Sequence, residues 1–412
     1  MSGQLTAVGS RVQAFGALRH RNFRLYWLAG LGQAMALGMQ FLILGWLVLQ
    51  LTGSASQLGL VIFLYGIPNL GMLMFGGIFA DLVDRRRMLV YTQLLVTLLI
   101  LAVAVLTLTQ LVSIWHIYGV AVILGVIQGI NMPSRMAIIP DLVDQEDILN
   151  ATSLNMAVFN TGRIIGPSIA GGIIDSVGLG HALFINAALY GFGVVFLALM
   201  TGVASRSVPR TGNIFLGMWE GFKYTAATPI AFTLVGLSFA FGFFGASYIQ
   251  VMPAFAKEVL RSNASGAGWL ISASGLGSLV GSMYMASIGD TRHKSALLIG
   301  TISLFGVMLF LFALSPIFVV SLIILFLAGV GFMGFIAMGT TVLQLTTPAE
   351  MRGRMMSQWL IGAATQYIGA FPISLAADYF GWPIAIGGSA LMMLAVVFWL
   401  AIYRPTLRKL RL

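Results

Sequence analysis

Apolar runs of about 20 to 30 residues, separated by short polar connections, recur twelve times along the chain. They cover 22–51, 57–80, 88–109, 115–139, 153–177, 181–203, 229–254, 266–288, 295–314, 317–342, 354–377 and 383–403. A bilayer core is about 30 Å thick and a helix rises about 1.5 Å per residue, so about 20 apolar residues make one span. None of the runs shows the alternation over about 10 residues that a barrel strand requires. The pattern predicts an all-α integral membrane protein with twelve transmembrane helices. The first run follows Arg19, Arg21 and Arg24, is too long for a signal peptide's apolar region and has no small-residue cleavage site after it, so it is expected to stay as an anchor. In the connection 204–228, Phe215, Trp219, Phe222 and Ala226 recur at helical spacing, with Glu220 and Lys223 off that stripe. This predicts an amphipathic helix lying in the membrane interface. The expected organisation is a six-helix bundle over 1–203, a linker over 204–228, a second six-helix bundle over 229–403 and a basic tail over 404–412.

Composition excludes a water-soluble body. Of 412 residues, 59% are hydrophobic and 8% charged, against about 25% charged in a typical soluble domain. The formal charge of +10 on a soluble protein would suggest nucleic acid. Here topology accounts for it, and no nucleic-acid partner is expected. With both termini in the cytoplasm, eighteen of the basic residues fall on that side, while Lys257 and Arg261 alone fall outside. Arg135 and Arg163 lie within or at the edge of spans. The expected location is the cell inner membrane, multi-pass. Absence of cysteine excludes disulfides, thiolate chemistry and zinc-thiolate sites.

The two halves resemble one another. Leu51-Thr-Gly-Ser-Ala55-Ser56 returns as Leu260-Arg-Ser-Asn-Ala264-Ser265 at an offset of 209. Ala80 and Asp84 return as Ala286 and Asp290 at 206, and Gly166, Asp175 and Gly178 as Gly369, Asp378 and Gly381 at 203. Matches at nearly one spacing indicate a duplicated six-span unit, hence two pseudo-symmetric bundles around a central site.

Between spans 2 and 3 stands Gly76-Gly77-Ile78-Phe79-Ala80-Asp81-Leu82-Val83-Asp84-Arg85-Arg86-Arg87. This resembles the loop signature of the major facilitator superfamily, with Gly77, Asp81, Arg85 and Arg86 in register, Leu82 in place of a basic residue and Asp84 in place of a glycine. Asp81 is placed to accept from the free amides that open span 11 near Gly353. Arg85 to Arg87 have an acidic counterpart in Asp141, Asp144, Glu146 and Asp147. Span 5 carries Gly162-Arg163-Ile164-Ile165-Gly166-Pro167-Ser168-Ile169-Ala170-Gly171-Gly172, which resembles the antiporter signature of the family. Small residues four apart let helices approach, and Pro167 lets the helix bend. The stretch Asn131-Met-Pro133-Ser-Arg135-Met-Ala-Ile-Ile-Pro140-Asp141 resembles the branch that includes siderophore and macrolide exporters. Span 4 departs from the drug-antiporter pattern: Gly125-Val-Ile-Gln128-Gly129 lacks its arginine. The resemblance implies gating by Gly77, Asp81, Arg85, Arg86, Gly162, Gly166 and Pro167. It also implies that span 8 packs on the glycine face of span 5.

Two glycine runs, Gly329-Val-Gly331-Phe-Met-Gly334 and Gly275-Leu-Gly277-Ser-Leu-Val-Gly281, mimic a dinucleotide fingerprint. Neither follows a strand or opens a helix, so both are assigned to helix packing. His20, His116, His181 and His293 fall near span ends without paired acids or a nucleophile. No catalytic residue, metal site or cofactor is expected. Polar residues inside the spans are the substrate-cavity candidates: Gln33, Gln40, Asn69, Gln128, Asn131, Asn160, Arg163, Tyr248, Gln366 and Tyr367. Amides, aromatic rings and methionines suit a bulky amphiphile better than a small ion. The expected activity is secondary active export of a hydrophobic or amphiphilic small molecule by alternating access. Lipid surrounds the transporter, and protons are a candidate coupling ion. An importer or lipid transporter on the same scaffold, or a non-transporting receptor, is the alternative.

Overall fold

The computed structural model describes residues 15–82, 84–202, 214–288 and 293–403, with side chains described except at 75–83, 214–218 and 403. Helices account for nearly all of them, and the described residues contain no strand. A 3-10 turn at Gly16–Arg19 leads into α1 (Arg21–Thr52), α2 (Ala55–Leu82), α3 (Arg85–Leu108) and α4 (Ile114–Ile138). Two more turns, Ile139–Asp141 and Gln145–Asp147, connect to α5 (Ile148–Val177) and α6 (Leu179–Ala198). After α7 (Ile214–Ala227) come α8 (Pro229–Ala240), a π-helical segment (Phe241–Ala246), α9 (Tyr248–Glu258), α10 (Ala264–Ile288) and α11 (Lys294–Leu314). The chain closes with α12 (Phe318–Thr346), α13 (Arg352–Ala364), α14 (Gln366–Phe380) and α15 (Trp382–Tyr403).

Among the described residues, eleven helical segments are long and apolar enough to cross a membrane, Pro229–Glu258 and Arg352–Phe380 each counting as one. The helix α5 is absent from that set although its 30 residues give about 45 Å of length. Asn155, Asn160, Thr161 and Arg163 lower its hydropathy, and the packing explains how it carries them. It lies against α1 on one side and α10 on the other. The helices α1 to α6 pack chiefly among themselves, with α2 on α4 and α3 on α6. The later helices do likewise, α12 lying on α10 and α11, and α11 on α15. The two groups meet along α5 with α10 and α2 with α14. The end where α1, α3 and α13 begin with Arg21, Arg85 and Arg352 is here termed the basic end.

Two spans expected to be continuous are interrupted. The π segment breaks the seventh, and Thr365 separates α13 from α14 in the eleventh. The interruptions pack together. A Cβ on Gly242 would meet Thr365 Oγ1 at 2.6 Å, and one on Gly369 would meet Ser247 Oγ at 2.5 Å. Ser247 Oγ donates to Phe243 O at 2.8 Å and to Gln366 O at 2.9 Å, so side chains recover acceptors that the irregular backbone frees. Gly178 (φ 89°) and Gly381 (φ 80°) end α5 and α14 in conformations that disfavour any side chain.

The helix α7 forms as the stripe predicts, and its inner face holds it. Gly221 lies against Gln358, Thr225 Oγ1 donates to Gln358 Oε1 at 2.6 Å, and Glu220 pairs with Arg354 at 2.7 Å. Trp219 and Phe222 point away from the protein. Phe215 lies outside the described side chains.

Candidate functional site

Among the described residues, the contacts between the two groups of helices concentrate toward one end. Between α5 and α10, a Cβ on Gly275 would meet Ile164 at 2.9 Å, Gly268 lies on the Pro167 backbone and Gly171 on that of Ala264. Between α2 and α14, the rings of Phe63 and Phe371 are 5.4 Å apart, and Gly59 and Gly66 accommodate Ser374 and Tyr367. At the far edge Asp175 at the end of α5 accepts from the amides of Ala264 (3.2 Å) and Ser265 (2.8 Å), which open α10. Asp378 at the end of α14 accepts from the amides of Ala55 (3.0 Å) and Ser56 (2.9 Å), which open α2. The residues repeated at offsets 209 and 203 are thus joined crosswise. Each carboxylate satisfies free amides at the positive end of a helix in the opposite half.

Toward the basic end the same stripes part. One turn from Ile164 on α5 stand Asn160 and then Met156; one turn from Gly275 on α10 stand Leu279 and then Met283, and all four are exposed. Arg163 opens onto this space. Its guanidinium lies 5.6 Å from the centre of the Phe332 ring, and among the described residues it makes no hydrogen bond or ion pair. Its side chain is exposed beside Phe332. Tyr248 is buried beside it, its hydroxyl bonded to Ser274 Oγ at 2.6 Å. Tyr367 stacks with Phe41 (6.1 Å) and meets Tyr65 edge-on (5.1 Å), while Gln366 accepts from Gln250 at 3.4 Å.

The other cavity candidates sit among α1 to α6. Arg135 donates to Gln33 Oε1, Gln33 to Asn131 Oδ1 at 3.1 Å, and Asn131 to Thr92 Oγ1 at 2.9 Å. Tyr190 donates to Gln40 Oε1 at 2.6 Å. Gln128 lines a pocket with these amides whose volume, about 10 Å³, is that of about one water molecule. Asn69 is buried where α2 crosses Gly129 of α4. Gln33, Gln40 and Asn131 therefore tie helices together, and Asn160, Arg163, Gln366 and Tyr367 flank the space between the two groups.

Of the gating candidates, Gly77 and Asp81 lie on α2 with side chains outside the described residues. Arg85 pairs with Asp141 at 2.9 Å, as the charge pattern suggests. Among the described residues Arg86 binds no acid; it donates to Leu197 O (3.2 Å) and Ala198 O (2.6 Å), the free carbonyls ending α6. Asp147 is held by His20 (2.8 Å) and Arg19 (2.9 Å) instead. The hydrogen bond from His20, with Arg19 beside it, holds the Asp147 carboxyl below its usual range. The glycine face of span 5 divides: Gly162 and Gly166 lie on Ala34 and Gly38 of α1, and only Pro167 and Gly171 meet α10. Residues four apart share a stripe, whereas a step of five turns to another face. The dinucleotide-like glycines pack on neighbouring helices, Gly329 on Ser274 and Gly331 on Thr301 and Phe305. Arg135 is the residue sequence reasoning passed over. Its spacing of four from Asn131 and seven from Gln128 places it on the same polar stripe of α4.

The comparisons agree with this geometry. Residues 12–411 match the family described as transmembrane secretion effector. The multidrug efflux pump Tap of Mycolicibacterium fortuitum is 27% identical over 91% of this chain and 93% of its own. The enterobactin exporter EntS of Salmonella typhi is 27% identical over 82% and 81%. The staphyloferrin A transporter of Staphylococcus aureus is 25% identical over 86% and 90%. Among solved structures, the nucleoside transporter NupG shares the fold with a TM-score of 0.72 at 15% identity, covering 94% of this chain and 99% of its own. A bacterial homologue of the lysosomal transporter Spinster, in an inward-facing and unoccupied conformation, gives 0.68 at 15%, covering 96% of each. The chain belongs to the transmembrane secretion effectors of the major facilitator superfamily and is a multi-pass membrane transporter, not an enzyme.

Proposed function

We propose that the chain exports a hydrophobic or amphiphilic small molecule across the cell inner membrane by alternating access. Two six-helix halves, α5 serving as the twelfth span, rock about the seams of α5 with α10 and α2 with α14. The observation that carries the reading is the asymmetry of those seams, latched by Asp175 and Asp378 at one end and parted beyond Ile164 at the other. The excess of basic residues supports an orientation with the parted end and both termini in the cytoplasm. The substrate would meet Arg163, Asn160, Gln366, Tyr367 and the Phe332 ring, a surface with one cation and otherwise amide, aromatic and apolar groups. The exporting relatives support the direction. The Gly-Pro signature of α5 favours exchange, with protons as counter-ion. Counterflow in proteoliposomes with labelled amphiphiles, with and without a pH gradient, tests the proposal. Saturable exchange that an imposed gradient accelerates is expected; absence of counterflow across acidic, neutral and cationic amphiphiles would overturn it.

A further inference from the structure

Arg135 is 3% exposed and has no carboxylate partner among the described residues. Its guanidinium is flanked by the rings of Tyr26 (4.9 Å) and Phe159 (5.3 Å), and one edge nitrogen donates to Gln33. Its Nε and its second terminal nitrogen, Nη2, make no hydrogen bond of good geometry; the Tyr26 hydroxyl is within reach of the guanidinium but donates to Arg135 O at 2.9 Å. Two further buried donors without acceptors, Trp27 Nε1 and Asn155 Nδ2, lie at the same junction of α1, α4 and α5. The register places them together. Gly38 meets Gly166 and Ala34 meets Gly162, and a Cβ on Gly30 would stand 3.9 Å from Val158 and 3.2 Å from Arg135 Nη2. Stepping back three residues on both helices brings Trp27 opposite Asn155.

Four buried N–H-bearing atoms, one group cationic, thus lack a hydrogen-bond acceptor on neighbouring turns of α1, α4 and α5, and a buried charge is tolerated only with a counter-ion or acceptor. Two acids of the connecting turns are already engaged, Asp141 by Arg85 and Asp147 by His20 and Arg19. Rings cover the faces of the guanidinium, so an acceptor must enter in its plane. Asn155 is 1% exposed, which leaves no approach for an amphiphile's headgroup. We infer that this junction binds a chloride-sized monovalent anion, held by Arg135, Asn155 and Trp27 as a structural counter-ion within the N-terminal helices. The inference is independent of the export reading, because its test needs no transport.

The test is thermal unfolding of the full-length protein in detergent as chloride replaces gluconate at constant ionic strength. Wild type should gain about 3 °C in Tm from trace to saturating chloride, and bromide should do the same. Arg135→Gln should be insensitive to chloride. Asn155→Asp, which supplies the negative charge from within, should also be insensitive, and it carries the test if Arg135→Gln fails to fold. Trp27→Phe should raise the half-saturating chloride concentration about fivefold, as loss of one donor requires. A wild-type Tm indifferent to halide, or an unchanged chloride response in Asn155→Asp, would overturn the site.

Discussion

A single cation in a parted seam decides more than its neighbours. An arginine near a helix centre costs about 2.5 to 3.5 kcal/mol on insertion scales, and Arg163 offsets this by opening onto the space beside Phe332 instead of binding protein acceptors. On the proposed export reading its guanidinium meets the substrate. A charge-assisted hydrogen bond is worth about 1.5 to 3 kcal/mol, so Arg163→Gln should cut transport of acidic amphiphiles about ten- to hundredfold while sparing neutral and cationic ones. Equal loss for all three, with lowered stability, would make Arg163 a brace. Asp147 gives a pH prediction of known sign. Its pKa is depressed from 3.8 in the folded protein, so its contribution to stability is present above that value and lost as pH falls through the lower folded one. Hydrogen exchange at Gly16–Arg19 should rise in acid below about pH 4, and Asp147→Asn should raise it at neutral pH. Arg163 was legible in the sequence because no other charge lies so deep in a run. Gln33, Gln40 and Asn131 line a small pocket and also bond to neighbouring helices, a double role that a sequence does not reveal.

At the scale of elements, the crosswise caps set the resting geometry. The repeats Ala55-Ser56 with Ala264-Ser265, and Asp175 with Asp378, are visible in the sequence. An offset shows which residues are equivalent between halves but not which touch. The crossing emerges because the seams run antiparallel, placing the end of α5 at the start of α10 and the end of α14 at the start of α2. Each carboxylate at a helix N-terminus is worth about 0.5 kcal/mol. Asp175→Asn with Asp378→Asn should shift the balance by about 1 kcal/mol, roughly fivefold, toward the conformation parted at that end. Spin-label distances between the starts of α2 and α14's far end should then show a larger long-distance population; an unchanged distribution would confine both residues to helix capping. The π segment of Phe241–Ala246 and the break at Thr365 escaped the sequence, since glycine and phenylalanine are ordinary in a span. Their cause is mutual: the approach of Gly242 to Thr365, and of Gly369 to Ser247, exists only once the two helices are packed.

At the scale of the molecule, eleven of the twelve expected spans are, among the described residues, long and apolar enough to cross a membrane, α5 being the exception, and the seams required three dimensions. The stripe of α5 that meets α10 at Ile164 and Pro167 continues through Asn160 and Met156 into exposure, and its partner continues through Leu279 and Met283. Under the proposed orientation this leaves the seam reachable from the cytoplasmic face. The chain has no cysteine, so a cysteine introduced at one position reports without a background to remove. Asn160→Cys lies on the parted side, whereas Leu111→Cys, in the turn between α3 and α4, is exposed at the opposite end. In inverted vesicles a membrane-impermeant maleimide should modify Asn160→Cys and spare Leu111→Cys; in right-side-out vesicles the preference should reverse by at least about tenfold. Such a ratio corresponds to at least about 1.4 kcal/mol in favour of the inward-parted arrangement. A transported amphiphile should lower it by populating the other arrangement, which binds the same ligand from the other side. Rapid outside labelling of Asn160→Cys without substrate would place the resting opening on the wrong face and refute the assigned orientation.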